Sequence, residues 1–392
     1  MKIDESLYIE GIRIVEVNIL YAIPFQISGG ISHSRKSLII ELLSQGLVAY
    51  GESAPFEAPF YSSETISSAK SMLTEWIIPK ILGKKFETIK EFNEEINNGI
   101  RGNNFAKAGV ETAYWDLVAK KNNISLKKLI EYKLREMGTK EDYLKNKDYI
   151  YSGVSIGIPD DNNYVTLENW VEKYLEEGYK RVKIKIRPGW DIKPIELTRK
   201  IVGDDFILWP DANASFDFEE HREVLKKMDL YNCNFIEQPL HHDDILEHHS
   251  LSKYINTPIC FDESLKSERV AKQIIELNFP SIWNIKIQRV GGLYEALKIY
   301  SLASKYGVEV WGGTMPESGI GGASILALST FEGFKYPACI EPSSRWYGKG
   351  KDIKELIMDS NGRIELKEEI GIGEINIENY KKYGSLLYEI YV

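Results

Sequence analysis

The chain has 392 residues, 43% of them hydrophobic and 27% charged, with a formal net charge of −9 and a pI near 5.4. That length accommodates two ordinary domains, or one large barrel with an attached layer, and the apolar content suffices for a sizeable core. The acidic balance argues against a nucleic-acid partner, which would need a basic face, and no stretch approaches the ~20 apolar residues of a membrane span.

The start, MKIDESLYIEGIRIV, lacks the basic region and apolar core of a signal peptide, so a cytoplasmic setting is expected. Cys233, Cys260 and Cys339 share no CxxC spacing and lie in apolar runs, which predicts buried free thiols. Residues 1 to about 145 mix β-rich segments (12–20, 36–43) with helical ones (67–82, 104–120). Ala106, Val110, Ala113, Leu117 and Val118 recur at helical spacing and predict one buried face. The charged stretch 133–147 reads as a linker.

From Tyr149 the rhythm changes. Short β-branched runs occur at 150–156, 181–186, 206–210, 234–236, 258–261, 282–287, 308–311 and 338–340. Helical stretches at 167–177, 195–201, 218–228, 268–277 and 294–306 lie between most of them, and 319–328 supplies another. Strands alternating with helices imply parallel βαβ units, and about eight in a row predict a (β/α) barrel. Beyond residue 343, β-like fragments at 364–366 and 386–392 are expected to return to the first zone.

Three of the strand-like runs end on acids: WPDAN at Asp211, FIEQP at Glu237 and CFDES at Asp262. In a barrel the C-terminal strand ends converge on one face, so acids spaced 26 and 25 residues apart point at one spot. One such acid alone would ordinarily cap the next helix; capping does not explain three in register with the barrel repeat. Three clustered carboxylates repel unless a cation neutralises them, and oxygen-only ligands suit Mg²⁺ or Mn²⁺.

Lys183 and Lys185 alternate along one strand and share a face, and Lys286 lies in the run NIKIQ. Most lysines are solvent-facing, yet these belong to strands with near-continuous apolar runs. Lys185 and Lys286 fall on the second and sixth strands of eight, facing each other across the barrel mouth. A lysine near other cations has a lowered pKa and can act as a general base; Lys183 and a bound metal would supply those cations.

The ordered set Lys183, Lys185, Asp211, Glu237, Asp262 and Lys286 resembles the enolase superfamily, muconate-lactonizing-enzyme subgroup. Within it, the chain is similar to the branch of o-succinylbenzoate synthases and N-acylamino acid racemases. Supporting motifs are GESAPFEAPFYSSE (51–64), GNNFAKAGVETAYWDLVAKK (102–121), GVSIGI (153–158), DANASF (211–216) and IKIQRVGG (285–292). The resemblance implies an α+β capping domain over 1–145, completed by 345–392, on a modified (β/α)7β TIM-type barrel over 146–344. It makes Asp211, Glu237 and Asp262 the metal ligands, Lys185 the acid/base on one side of the substrate and Lys286 its counterpart, with Lys183 tuning Lys185. Asn213 would lie near the metal and the substrate carboxylate, with Ser155 and Gly312 as substrate contacts. Arg289 resembles an arginine that marks the racemase-containing branch. Loops 25–32 and 55–61 would close over the substrate, with Phe56 and Phe60 in its pocket.

The implied activity is metal-dependent removal of the proton beside a carboxylate, either racemising N-acylamino acids (N-succinyl substrates first) or making o-succinylbenzoate by dehydration. The implied partners are a small-molecule carboxylate substrate and further copies of the chain, with neither nucleic acid nor membrane. The run WGGTMPESGIGG (311–322) departs from the commoner form at Thr314 and Pro316, which leaves side-chain specificity open. Glu341-Pro-Ser-Ser stands where dipeptide epimerases carry Asp-x-Asp, and no histidine ends the sixth or seventh strand as in the mandelate racemase subgroup. A Schiff-base aldolase would need one isolated lysine and no acid triad, and a merely structural barrel would not retain the full ligand set.

Overall fold

The computed structural model describes the chain except Met1, Ser28, Gly29, Phe60 and Asp161, and except the side chains of residues 23–32. Among the described residues no helix is long and apolar enough to cross a membrane.

The first zone is built on a four-stranded antiparallel sheet. Gly11–Ile27 pairs with Gly30–Ser44, which pairs with Leu47–Ser53, and the C-terminal strand Gly384–Tyr391 adds beside Gly11–Ile27. The fragment expected at 386–392 therefore does return to the start of the chain. Leu38, Ile39 and Ile40 are all fully buried, so the central strand is covered on both faces. Helix Asn104–Lys121 packs on this sheet at close range: a Cβ on Gly51 would lie 2.1 Å from the Gly109 carbonyl oxygen. Only glycine permits that approach.

That helix corrects one expectation. Every residue from Phe105 to Ala119 is buried, so it has no solvent face, because it is held between the sheet and the barrel. The helical stretch at 67–82 is interrupted: Ile66–Met72 passes through a π turn, Leu73–Ile77, into Ile78–Ile81. Pro79, which has no N–H to donate, explains the widened turn before it. The expected linker at 133–147 is helical over about half its length, taking in the end of Leu126–Glu136 and then Glu141–Leu144. Leu126, Leu129, Ile130 and Leu134 supply the buried face, and Lys133 is neutralised by Glu5 at 2.8 Å and Glu136 at 2.6 Å.

The second zone is a barrel. Seven parallel strands are neighbours in chain order: Val154–Ile156, Arg181–Lys185, Ile207–Asp211, Ile236–Glu237, Ile259–Phe261, Ser281–Ile285 and Val310–Gly312. The eighth run, 338–340, forms no ladder but fills the gap. The Cys339 N–H donates to the Gly312 carbonyl at 2.9 Å, and the Gly153 N–H donates to the Ala338 carbonyl at 2.9 Å. The run at 150–156 splits in two. Tyr149–Tyr151 pairs antiparallel with Arg363–Glu365, so the fragment expected at 364–366 joins the start of the barrel and not the capping sheet. Helix Ile245–Tyr254 escaped the sequence reading because its buried residues are only His248 and Leu251. Inside the barrel, Trp209, Phe235, Cys260, Ile282, Trp311 and Cys339 form an apolar floor, and all three cysteines are free and buried.

Candidate active site

Alternation along the strands divides floor from mouth. Trp209 and Asp211 share the inward face of the third strand, the tryptophan below and the carboxylate above. Glu237 pairs in register with Asp211 on one side and with Cys260 on the other, and Asp262 follows the fifth strand. All three acids are fully buried at the C-terminal strand ends.

Buried carboxylates need donors, and the barrel supplies them. Lys183 Nζ lies 2.9 Å from Asp211 Oδ2 and 3.2 Å from Glu237 Oε1. Asn284 Nδ2 donates to Glu237 Oε1 at 3.2 Å and Asp262 Oδ1 at 2.9 Å, and Trp209 Nε1 donates to Glu237 Oε2 at 2.8 Å. Lys185 Nζ donates to Asp211 Oδ2 and Asn213 Oδ1, both at 2.6 Å. Lys286 Nζ donates to Asp262 Oδ2 at 2.8 Å and to the Tyr61 hydroxyl at 3.0 Å. Arg289 is buried, ion-paired to Asp262 Oδ1, and donates from Nε to the Leu265 carbonyl at 3.0 Å.

Burial, then the Asp211 carboxylate, pushes Glu237 upward. Burial works the same way on Asp211, but the Lys183 and Lys185 ammonium groups outweigh it and hold that acid low. Lys183 and Lys286 both stand above the ordinary lysine range. Burial alone would depress both, yet Asp211 raises Lys183 and Asp262 raises Lys286, because each lysine faces carboxylates first and cations second.

Three carboxylates without histidine or cysteine form a donor set that fits a hard divalent ion, and such an ion would offset the mutual repulsion that Glu237 feels. Among the described residues, the group of three ligand atoms lying within 4.8 Å of one another is His241, His242 and Asp243, on the turn after the fourth strand. The strand-end carboxylates are spread wider, with Lys183 and Asn284 between them. His241 and Asp243 are exposed, and Asp243 is already paired with Lys266 at 2.7 Å.

Above the acids lies a cavity of about 190 Å³. Lys183, Lys185 and Lys286 line it, together with Asn213, Ser155 and Phe56. Ser155 Oγ is 3.0 Å from Cys339 Sγ, and its backbone N–H donates to Glu341 Oε1 at 3.1 Å. Gly312 does not line the cavity. Its carbonyl accepts from Cys339, and a Cβ there would lie 2.1 Å from Ser329 Oγ, so this glycine serves packing, while Thr314 and Met315 reach the cavity instead. Phe56 lines the wall edge-on to Tyr61, with ring centroids 6.3 Å apart. Phe60 and the side chains of loop 25–32 lie outside the described residues.

Two residues of the site, Asn284 and Glu263, escaped sequence reasoning. Asn284 lies on the sixth strand two positions before Lys286, which follows that strand's end, a period-two signal that would have found it. Glu263 follows Asp262, accepts from Asn213 Nδ2 at 2.8 Å and is pushed up to about 8 by burial and by Asp262. Tyr61 ends the loop 55–61 expected to close over the substrate, but no local pattern in the sequence ties it to Lys286.

Comparison with known proteins agrees with this architecture. The family described as mandelate racemase / muconate lactonizing enzyme, N-terminal domain, matches residues 9–131, and that described as enolase C-terminal domain-like matches residues 166–378. The chain belongs to the enolase superfamily, in its muconate-lactonizing-enzyme subgroup, and is an enzyme of the isomerase or lyase class. It is similar to the o-succinylbenzoate synthase of Bacillus subtilis, at 36% identity over 377 residues, 96% of each chain. It is also similar to the N-succinylamino acid racemase of Thermus thermophilus, at 33% identity over 363 residues, 92% of each chain. The solved structure of an enolase-superfamily member from Listeria innocua matches with a TM-score of 0.88 at 34% identity, covering 98% of this chain and 99% of that one.

Proposed function

We propose that the enzyme removes the proton on the carbon beside a substrate carboxylate and racemises N-acylamino acids, N-succinyl ones first. The observation that carries this reading is the placement of Lys185 and Lys286. They come from the second and sixth barrel strands, line one cavity, and are each anchored to a different acid.

Asp211, Glu237 and Asp262 would hold Mg²⁺ or Mn²⁺, which when bound supplies a Lewis acid for the substrate carboxylate and for the negative charge that grows on it. Lys185, steered by Asp211 and Asn213, serves one face of the carbon; Lys286, steered by Asp262 and Tyr61, serves the other. One lysine as amine accepts the proton, the other as ammonium returns one to the opposite face, and the configuration inverts. Lys183 bridges Asp211 and Glu237 and adds positive charge beside Lys185. Phe56 and Tyr61 shield the cavity from water. The reading includes a cytoplasmic homo-oligomer acting on a small-molecule carboxylate.

A second reading, o-succinylbenzoate synthesis, is favoured by the 36% identity to the o-succinylbenzoate synthase of Bacillus subtilis. In dehydration Lys185 is the base and Lys286 is needed only as a stabilising cation, and one site supports both reactions because they share the first step.

The test is deuterium exchange at the α-carbon in D₂O. The parent enzyme should exchange and interconvert both enantiomers of an N-succinylamino acid. Lys185→Ala and Lys286→Ala should each abolish racemisation, and each should retain exchange of a different enantiomer. In racemisation the double variant should lose little beyond the worse single, since both groups serve one reaction coordinate, while exchange of both enantiomers should be lost. A Lys286→Ala enzyme racemising at near-parent rate would refute the two-lysine reading and leave the dehydration reading.

A further inference from the structure

We infer that Tyr61 is a positioning residue for Lys286 and not for Lys185, so that docking of the cap governs proton transfer on one face of the substrate carbon and leaves the other to the barrel. The inference rests on the two-lysine reading above.

The two lysines are anchored by matching sets of acceptors of different origin. Each donates to one carboxylate oxygen and one neutral oxygen: Lys185 to Asp211 Oδ2 and Asn213 Oδ1, Lys286 to Asp262 Oδ2 and the Tyr61 hydroxyl. An ammonium has three N–H groups. Once the Cε–Nζ bond and two acceptors are set, the tetrahedral geometry of nitrogen fixes its one remaining direction, the one left for the substrate. For Lys185 both acceptors come from the end of the third strand, two residues apart. For Lys286 one comes from the barrel and the other from the cap, 225 residues away in sequence.

The cap segment that carries Tyr61 is tied on both sides. Before it, the Ala54 N–H donates to Gln288 Oε1 at 3.0 Å, and Gln288 Nε2 donates back to the Glu52 carbonyl at 2.6 Å; Gln288 stands two residues after Lys286. After it, Glu64 accepts from the Phe105 N–H at 3.1 Å. The ring of Tyr61 packs with Phe56, Phe105 and Met315, and Lys286 Nζ lies 5.0 Å from its centroid. The phenol is thus delivered to Lys286 by cap–barrel docking, whereas Asn213 is delivered to Lys185 by its own strand.

In the step concerned, the Lys286 amine takes the α-proton, the C–H electron pair moves into the substrate carboxylate, and a deuteron from the exchanged ammonium replaces it. The Tyr61 hydroxyl also donates to Asp262 Oδ2 at 3.4 Å, the oxygen that holds Lys286; Tyr61→Phe removes the hydroxyl and keeps the ring, leaving Lys286 restrained by Asp262 only. A misdirected base loses roughly 10- to 100-fold in rate.

The probe is each enantiomer of N-succinylphenylalanine in D₂O, followed by NMR, with Lys185→Ala showing which enantiomer belongs to Lys286. In Tyr61→Phe, exchange of that enantiomer should fall by about 10-fold or more through kcat, with KM little changed, while the other enantiomer exchanges within about 2-fold of the parent rate. Asn213→Ser should show the opposite bias, which keeps the test open if Tyr61→Phe folds poorly. Equal loss on both faces in Tyr61→Phe, or no loss on either, overturns the role for Tyr61, since a general lid or a plain substrate contact would not separate the faces. A parent enzyme that exchanges neither enantiomer would sink the two-lysine reading itself, and the inference with it.

Discussion

Glu237 has donors on both oxygens, Lys183 and Asn284 on one and Trp209 on the other. Three donors around a fully buried carboxylate hold it rigidly at the centre of the acid row. Replacing Glu237 by Gln should lower turnover by roughly 10²- to 10³-fold, the scale of losing one preorganised charge-stabilising group. Circular dichroism should still report a folded protein, because the floor beneath is the apolar cluster of Trp209, Phe235 and Trp311. Exhaustive chelation should abolish activity, with recovery on adding Mg²⁺ or Mn²⁺; undiminished turnover in a rigorously metal-free preparation would show that these acids serve another purpose.

Helix Asn104–Lys121 is the element that joins cap to barrel. Its Glu111 accepts from the Leu293 N–H at 2.7 Å and the Tyr294 N–H at 2.9 Å, capping barrel helix Leu293–Tyr306, and from Trp115 Nε1 at 2.6 Å. Gly292 precedes that helix at φ +132°, and a Cβ there would lie 2.4 Å from Glu111 Oε2. Gly292→Ala should therefore cost about 2–4 kcal/mol, through both backbone strain and the displaced cap, read as a lower midpoint in urea. The same carboxyl gives a pH signature. Burial pushes Glu111 from its ordinary 4.5 up to about 7, with Glu295 adding to the rise. Between those values the unfolded chain has released a proton that the folded protein keeps. The contribution is complete below the lower value and is lost as pH rises through the upper one. Glu111→Gln cannot ionise, so parent stability should decline relative to the variant by about 1 kcal/mol per pH unit between pH 5 and 7. A constant difference across that window would show that Glu111 ionises as freely folded as unfolded.

At the scale of the whole molecule, the chain builds the cap, then the barrel, then returns to the cap. Gly384–Tyr391 completes the capping sheet, the Tyr380 hydroxyl donates to Glu41 at 2.6 Å, and Asp116 accepts from both the Tyr50 N–H and the Ile372 N–H. Cap and barrel should accordingly unfold in one calorimetric transition. Truncation after Tyr383 should lower the midpoint and expose Gly11–Ile27 as an open edge, an invitation to strand-to-strand association visible by light scattering. A truncated protein that melts like the parent and stays monodisperse would show that the terminal strand is dispensable.

Much of this was legible in the sequence because barrels translate local rules directly into position. Period-two alternation places Lys183 and Lys185 on one face, and the βαβ repeat brings Asp211, Glu237 and Asp262 to adjacent strand ends, since parallel strands all finish on the same side. Local rules do not report what covers an element. Asn104–Lys121 reads as an amphipathic helix, yet it is buried all round because two layers meet on it. Residues 133–147 look like linker because their charges are visible in the sequence and the partner of Lys133 is not. Closure at 338–340 and the pairing of Arg363–Glu365 with Tyr149–Tyr151 depend on backbone groups brought together from distant parts of the chain. So does the fine structure of the site: Arg289 directed onto Asp262, Gly312 withdrawn into packing, and Tyr61 set on Lys286. Such contacts arise when two separately formed surfaces dock, and docking selects shape and charge complementarity that no short-range periodicity encodes.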